Sequence, residues 1–271
     1  MKKALTIAGS DSGAGAGIQA DLKTFAALQV YGTSVITSVT AQNTLGVQGI
    51  FNLPPSFVAL QMDSVLSDIG ADAVKTGMLA NRDIIEEVAK KLREYKIKNL
   101  VIDPVMVAKS GDPLLEPQAV EALKEKLFPL ALIITPNLEE AGALLSRAIT
   151  SYEEAVEAAR LLQREYSLPY VLVTGGHLPQ EPVDILYDGR SIRTFTGSRH
   201  PSRFTHGAGC TFSAAITAFL ARGLKVPEAV AEAKGYMDKA FLGAKEVGRG
   251  YGPLHHLAPY YSWGRDEDCP F

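Results

Sequence analysis

The chain has 271 residues, 27 Lys plus Arg against 30 Asp plus Glu, and a net charge of −3. That near-balance argues against nucleic acid or an anionic membrane as its main partner, and 46% hydrophobic with 21% charged residues is ordinary globular usage that excludes a disordered chain. Two cysteines, Cys210 and Cys269, form no disulfide framework and fit a reducing cytosol. The apolar stretch after Lys2 and Lys3 stops at Gly9, too short for a signal-peptide core, and no run is long enough to span a membrane.

In chain order, strands are predicted at Ala4–Ala8, Ser34–Thr40, Ala73–Thr76, Leu100–Asp103, Leu132–Thr135 and Val171–Thr174. They are apolar, β-branched and nearly continuous, as strands of a parallel sheet covered on both faces should be. Between them, amphipathic stretches predict helices at Ile18–Gln29, Ser56–Asp68, Arg82–Tyr95, Pro117–Leu127 and Tyr152–Tyr166, with Asn81 as an N-cap and Ser151 with Glu154 as a capping box. Val183–Tyr187 and Ser191–Phe195, joined by Asp188-Gly189-Arg190, predict a hairpin. Helices at Cys210–Ala221 and Pro227–Val247 close the pattern. Repeated βα units imply a three-layer α/β fold. No linker or charge block divides the chain, so one domain over residues 1–271 is expected, with a loosely held tail from Tyr260.

Several predicted strands end in polar or glycine-containing groups: Gly9-Ser10-Asp11-Ser12-Gly13, Ala41-Gln42-Asn43-Thr44, Lys75-Thr76-Gly77-Met78, Asp103-Pro104-Val105, Thr135-Pro136-Asn137-Leu138-Glu139-Glu140 and Thr174-Gly175-Gly176-His177. Ligands of open parallel sheets bind beyond the carboxyl ends of the strands. Ordinary turn chemistry accounts for about half of these residues but not readily for Gln42, Lys75 or Glu140. Gly13-Ala14-Gly15-Ala16-Gly17 fails the dinucleotide fingerprint, because Ile18 stands where the third glycine belongs, and no Walker A loop is present. Asp21 is either a surface acid in the first turn of the following helix or a crevice residue.

The sharper element is His206-Gly207-Ala208-Gly209-Cys210-Thr211, glycines before a helix of small and apolar residues. Unpaired amides of a helix's first turn, aided by the dipole, hold phosphate there and stabilise a transferring phosphoryl group. The same dipole should lower the pKa of Cys210, which is otherwise a small buried hydrophobe. Asp103, Asn137 and Glu140 have the chemistry of a hard-cation site, since Mg²⁺ keeps waters and needs few carboxylates; Glu139 and Glu140 equally suit a solvated first-turn pair. The five histidines do not have zinc-ligand spacing.

Together these segments resemble the hydroxymethylpyrimidine/phosphomethylpyrimidine kinases of thiamine biosynthesis, in the ribokinase-like superfamily. The resemblance runs from residue 8 to residue 256 and also takes in Gly17-Ile18-Gln19-Ala20-Asp21-Leu22-Lys23, Asp103 to Gly111, and Gly252-Pro253-Leu254-His255-His256. It implies a ribokinase-like kinase that uses ATP and Mg²⁺ to phosphorylate 4-amino-5-hydroxymethyl-2-methylpyrimidine and then its monophosphate, a cytoplasmic homodimer acting on small molecules. Carried over by motif, Gln42, Asp21, Met78 and Val105 line the substrate pocket, the Gln42 carboxamide matching a ring nitrogen beside an exocyclic amine. Cys210, Gly207 and Gly209 form the catalytic nest; Thr174, Gly175 and Lys234 are candidates for the nucleotide, Asp103 and Glu140 for the metal. Cys210 stands where ribokinase relatives usually have an Asp base, and is either the base or only part of the anion nest; as a base it would matter more for the first phosphorylation than for the second. Thr174 replaces a lysine found in many relatives. The nearest rival is a cysteine-containing pyridoxal kinase; a catalytically silent ligand-binding protein on this fold is the remaining alternative.

Overall fold

The computed structural model describes residues 1–107, 111, 114–176, 178, 182–199, 202–258 and 260. Strands β1 (Lys3–Asp11), β2 (Tyr31–Asn43), β3 (Gly46–Asn52), β4 (Ala73–Thr76), β5 (Leu100–Ile102), β6 (Ile133–Ile134), β7 (Tyr170–Val173), β8 (Val183–Tyr187) and β9 (Ile192–Thr196) form one nine-stranded sheet in the order β3-β2-β1-β4-β5-β6-β7-β8-β9. The pairings from β2 to β7 are parallel; β3 on one edge and the β8–β9 hairpin on the other are antiparallel.

Alternation along the central strands explains the three layers. Leu100, Ile102, Ile134, Val171 and Val173 point to one core, under α2 (Pro55–Asp68), α3 (Arg82–Glu94), α5 (Leu138–Leu145) and α6 (Tyr152–Tyr166). Val101, Ile133 and Leu172 point to the other, under α1 (Gly17–Ala27), α7 (Ala208–Ala221) and α8 (Val226–Leu242). The side-chain period of two gives each strand both cores, which is why these runs are continuously apolar. The second face is interrupted by polar side chains two residues beyond its apolar ones: Thr6 beyond Ala4, Lys75 beyond Ala73, Asp103 beyond Val101.

Three expectations are corrected. The helix predicted over Pro117–Leu127 is α-helical only as α4 (Pro117–Ala122), then widens into a π turn at Leu123–Leu127 and a 3₁₀ turn at Phe128–Leu130; Pro129 has no N–H to continue the ladder and its ring crowds the carbonyl four residues back. The last helix ends at Leu242 rather than Val247. β3 and α5 add to the predicted elements: β3 is an edge strand with two glycines and mostly exposed side chains, and α5 is short and starts inside the polar Thr135–Glu140 segment. Of the residues named above, Ala108, Lys109, Ser110 and His177, with Cys269 and the tail after Tyr260, lie outside the described residues.

The predicted caps are present. Ser151 Oγ accepts the Glu154 amide at 3.1 Å while Glu154 accepts the Ser151 amide in return, and Asn81 accepts the Ile84 amide. Ser151→Ala should lower unfolding free energy by about 1 kcal/mol in urea titrations; an unchanged midpoint would show that this box contributes nothing to α6.

Candidate functional site

A cavity of about 940 Å³ opens beyond the carboxyl ends of the parallel strands, where α/β sheets of this kind take their ligands. The start of α7 forms one wall. Gly207 precedes the helix in the left-handed region, φ 76°, and a Cβ there would lie 1.9 Å from the Gly15 carbonyl oxygen, so only glycine fits. The Ala208 amide donates to Thr205 O and the Thr211 amide to Gly207 O. Among the described residues the Gly209 and Cys210 amides take no backbone acceptor, and both residues line the cavity. Two free donors at the positive end of a fourteen-residue helix make an anion cradle.

Cys210 is where the sequence places it, but its thiol behaves oppositely to the dipole expectation. Burial pushes its pKa up to about 12; Asp103 and Asp21 add to the rise, and Lys75 with the Gly17 amide opposes it without prevailing. The thiol is therefore protonated at neutral pH.

Lys75 lies beneath the cavity, fully buried, with Nζ donating to both carboxylate oxygens of Asp21 at 2.8 and 2.9 Å. Burial disfavours its charge, yet Asp21, the Cys210 sulfur and Asp103 hold its pKa above the ordinary value. Asp21 also accepts the Thr6 hydroxyl at 2.6 Å. Asp21 is thus neither a surface acid nor a lining residue: it is fully buried and saturated by Lys75 and Thr6, so the pocket-lining role expected of it is corrected to a support beneath the pocket.

Asp103 and Glu140 both line the cavity. Asp103 accepts the Ser213 hydroxyl at 2.9 Å, and a Cβ on Gly209 would sit 3.9 Å from its Oδ2, which sets this carboxylate beside the cradle. Glu140 closes a capping box at the start of α5: it accepts the Asn137 amide, and Asn137 Oδ1 accepts the Glu140 amide, each at 2.9 Å. Burial raises the pKa of both acids, and the Asp103 charge raises Glu140 further. A buried and a half-buried carboxylate side by side at an anion cradle suit a divalent cation completed by water and phosphate oxygens. No group of three or more His, Cys, Asp or Glu residues poised for a metal occurs among the described residues.

On the opposite wall, a register shift between Ala41 and Gln42 in the β2–β3 ladder turns Gln42 toward the cavity. The Ser12 hydroxyl donates to Gln42 O and accepts the Gln42 amide, both at 2.8 Å, and Thr40 donates to Gln42 Oε1 at 3.1 Å. Met78 and Val105 supply apolar surface beside it. Toward α8, Thr174 and Lys234 line the cavity, whereas Gly175 does not: its amide donates to Asp184 Oδ1 at 3.0 Å. Lys234 is not a solvated lysine, since its ammonium pairs with buried Asp184 at 2.5 Å and lies 5.8 Å from the Phe212 ring centroid.

Two parts of the site escaped sequence reasoning. Asp11 accepts the amides of Gly13, Gly15 and Ala16 together with His206 Nε2; the signal was an acid just before a glycine run. Asp184 falls inside the hairpin strand β8, where a lone acid at an otherwise apolar position was the only trace.

Residues 11–255 match the family described as phosphomethylpyrimidine kinase. The chain is 50% identical over 267 residues to a hydroxymethylpyrimidine/phosphomethylpyrimidine kinase of Rhizobium meliloti, covering 97% of this chain and 98% of that one. It is 52% identical over 254 residues to the thiamine biosynthesis bifunctional protein ThiED of Geobacter sulfurreducens, covering 93% of this chain but spanning only 52% of that longer protein. Among solved structures, an ADP complex of Bacillus subtilis pyridoxal kinase superposes with a TM-score of 0.89 at 43% identity, covering 96% of this chain and 98% of the other.

In a Cys269→Ser background, alkylation of Cys210 by iodoacetamide should accelerate about tenfold per pH unit from pH 7 to 10 without levelling, as a thiol with its pKa far above that range requires. A plateau below pH 9 would place the thiolate where the helix dipole alone would have put it.

Proposed function

The chain belongs to the phosphomethylpyrimidine kinase family, and on that premise we propose that it transfers the γ-phosphoryl group of ATP to 4-amino-5-hydroxymethyl-2-methylpyrimidine and then to the resulting monophosphate, within thiamine biosynthesis. The observation that carries this reading is the pair of unpartnered amides at Gly209 and Cys210 opening onto the same cavity as Gln42. The chain acts as a single kinase domain in the cytoplasm; no helix among the described residues is long and apolar enough to cross a membrane.

In the transfer, the substrate oxygen forms a bond to the γ-phosphorus while the β–γ bridging bond breaks and ADP leaves. The Gly209 and Cys210 amides stabilise the charge that develops on the phosphoryl oxygens. Asp103 and Glu140 would hold Mg²⁺, which supplies charge neutralisation and alignment of the phosphates. Gln42, tied to Thr40 and Ser12, addresses the aminopyrimidine edge, with Met78 and Val105 against the ring. Thr174 and Lys234 face the nucleotide; Lys234 supplies a cation near the position where Thr174 replaces the relatives' lysine. The Cys210 thiol is protonated and so does not begin as a base; it shapes the cradle, and the hydroxyl proton passes to an oxygen of the transferring phosphoryl group and stays on the product phosphate until solvent takes it.

The second reading, pyridoxal phosphorylation, draws support from the close superposition on the Bacillus subtilis pyridoxal kinase. Mass analysis of products after incubation with ATP, Mg²⁺ and either the pyrimidine or pyridoxal separates the two. The expected outcome is mono- and then diphosphorylated pyrimidine; faster turnover of pyridoxal would exchange the substrate assignment. Cys210→Ala should slow both phosphorylations alike, within about threefold of each other, whereas a loss confined to the first would restore the base role.

We propose further that the protein is a homodimer joined at the β2–β3 side of the sheet, where Val39, Ile50 and Phe51 are exposed and the outer ladder of the edge strand β3 is open. Phe51→Asp should halve the mass measured by sedimentation equilibrium; a wild-type monomer would refute the assembly.

A further inference from the structure

Two glycine loops meet at the centre of the site. The first, Gly13 to Gly17, leads from β1 into α1; the second, His206 to Gly209, leads into α7. They are interlocked: a Cβ on Gly15 would lie 2.2 Å from His206 Cδ2, and one on Gly207 would lie 1.9 Å from Gly15 O. A direct side-chain link joins them, His206 Nε2 to Asp11 Oδ2 at 2.8 Å, with both side chains buried, and the Gly17 amide meets the Cys210 sulfur beside it. An ionised carboxylate only accepts, so Nε2 carries the proton. Burial opposes ionisation of Asp11, but His206 and the Ala16 and Gly13 amides outweigh it and hold the carboxyl below its ordinary pKa.

Each loop is braced from its own side. Gln19 Oε1 accepts the Asp11 amide and Lys23 Nζ donates to Ala14 O, both from α1. The His206 amide donates to Gly252 O at 3.1 Å. The first loop continues to Gln42 through the Ser12 hydroxyl, while the second continues directly to the free amides of Gly209 and Cys210. The Asp11–His206 contact therefore lies on the path that sets the distance between the wall addressing the heterocycle and the cradle addressing the phosphoryl group.

We infer that Asp11 and His206, which line the cavity while bonded to each other, form a positioning clasp that acts through the two walls, together fixing the separation of acceptor oxygen and γ-phosphorus needed for in-line transfer. The kinetic part rests on the phosphotransfer reading; the mechanical part does not. Misplacement of reacting groups by about 1 Å costs up to about a hundredfold in rate, so the effect belongs in kcat rather than in binding.

The test compares wild type with His206→Leu, which removes the donor, His206→Gln, which places an amide nitrogen near Nε2, and Asp11→Asn, which keeps shape but loses the charge. Hydrogen-exchange mass spectrometry of the substrate-free protein should show His206→Leu accelerating exchange about tenfold in peptides spanning residues 11–17 as well as 205–212, with His206→Gln within about threefold of wild type. Acceleration confined to 205–212 overturns the clasp. In steady-state kinetics with ATP and the pyrimidine, His206→Leu and Asp11→Asn should each lower kcat about ten- to a hundredfold with both KM values within about threefold. The double variant should lose no more than the worse single one; additive losses, or raised KM with kcat intact, overturn the inference. If His206→Leu fails to fold, Asp11→Asn and His206→Gln carry both measurements. If the wild type transfers no phosphate to the pyrimidine, the functional reading falls and the exchange result alone decides the clasp.

Discussion

A charged lysine buried without water contact is the constraint around which the site is arranged. Lys75 projects from the end of β4 into the second face of the sheet, where the apolar cluster gives way to the buried polar groups Thr6, Asp21 and Asp103. Dehydrating an ammonium costs several kcal/mol, and Coulomb attraction repays this only with close geometry and satisfied hydrogen bonds. Both are present in the two-oxygen pairing to Asp21, whose own remaining capacity is used by Thr6. A pair of well-packed apolar residues would meet the needs of stability as well. The reason to keep the charge is visible one layer above, where Asp103, Cys210 and the cradle lie within its field. It is a fixed positive charge, already dehydrated, under a place where negative charge is to gather, and it requires no reorganisation when that charge arrives.

The acids at the rim have the complementary problem. Asp103 is buried, and its charge adds to the desolvation that raises the pKa of the half-buried Glu140. That shift favours a protonated Glu140, and under the proposed function a divalent cation between the two acids would favour both ionised forms instead. Under the proposed function, a cation would offset the electrostatic cost at this pair, while the cradle offers donors already in place. Glu140 is held for this task by its own backbone: the capping box with Asn137 fixes the side chain at the helix start, so one residue secures both the end of α5 and the carboxylate.

How much of this was legible in the sequence divides along physical lines. Strands and helices whose apolar period is strong, such as β4, β8, α3 and α6, were readable to within a residue because burial dictates their pattern. β3 was not, because an exposed edge strand with glycines has no burial pattern to read. The π turn after Ala122 follows from Pro129, whose effect reaches four residues back and is easily missed when the amphipathic pattern continues through it. Gln42, Met78, Val105, Asp103 and Glu140 come together in one cavity because a parallel sheet delivers the carboxyl ends of its strands to a single edge, and Cys210 joins them because α7 starts at that same edge. Asp21 went elsewhere because a charge cannot be assigned to crevice or support without knowing its partner. The Asp11–His206 contact joins residues 195 positions apart, and nothing in local spacing announces a pair of that separation.

The two substrate readings share almost the whole backbone, since a pyridoxal kinase superposes over nearly the full chain. Discrimination between a pyrimidine and a pyridine therefore has to come from side chains on one wall rather than from the fold. Gln42 is the natural discriminator. Its carbonyl is engaged by Thr40, and its main chain is pinned by Ser12, so the carboxamide enters the cavity with a restricted orientation. A ring nitrogen flanked by an exocyclic amine matches a carboxamide's donor and acceptor together. A pyridine nitrogen flanked by a methyl group matches only the donor and leaves the acceptor with its Thr40 contact alone. Under the proposed function, this half-buried carboxamide favours the heterocycle that supplies both hydrogen bonds over one that supplies a single bond.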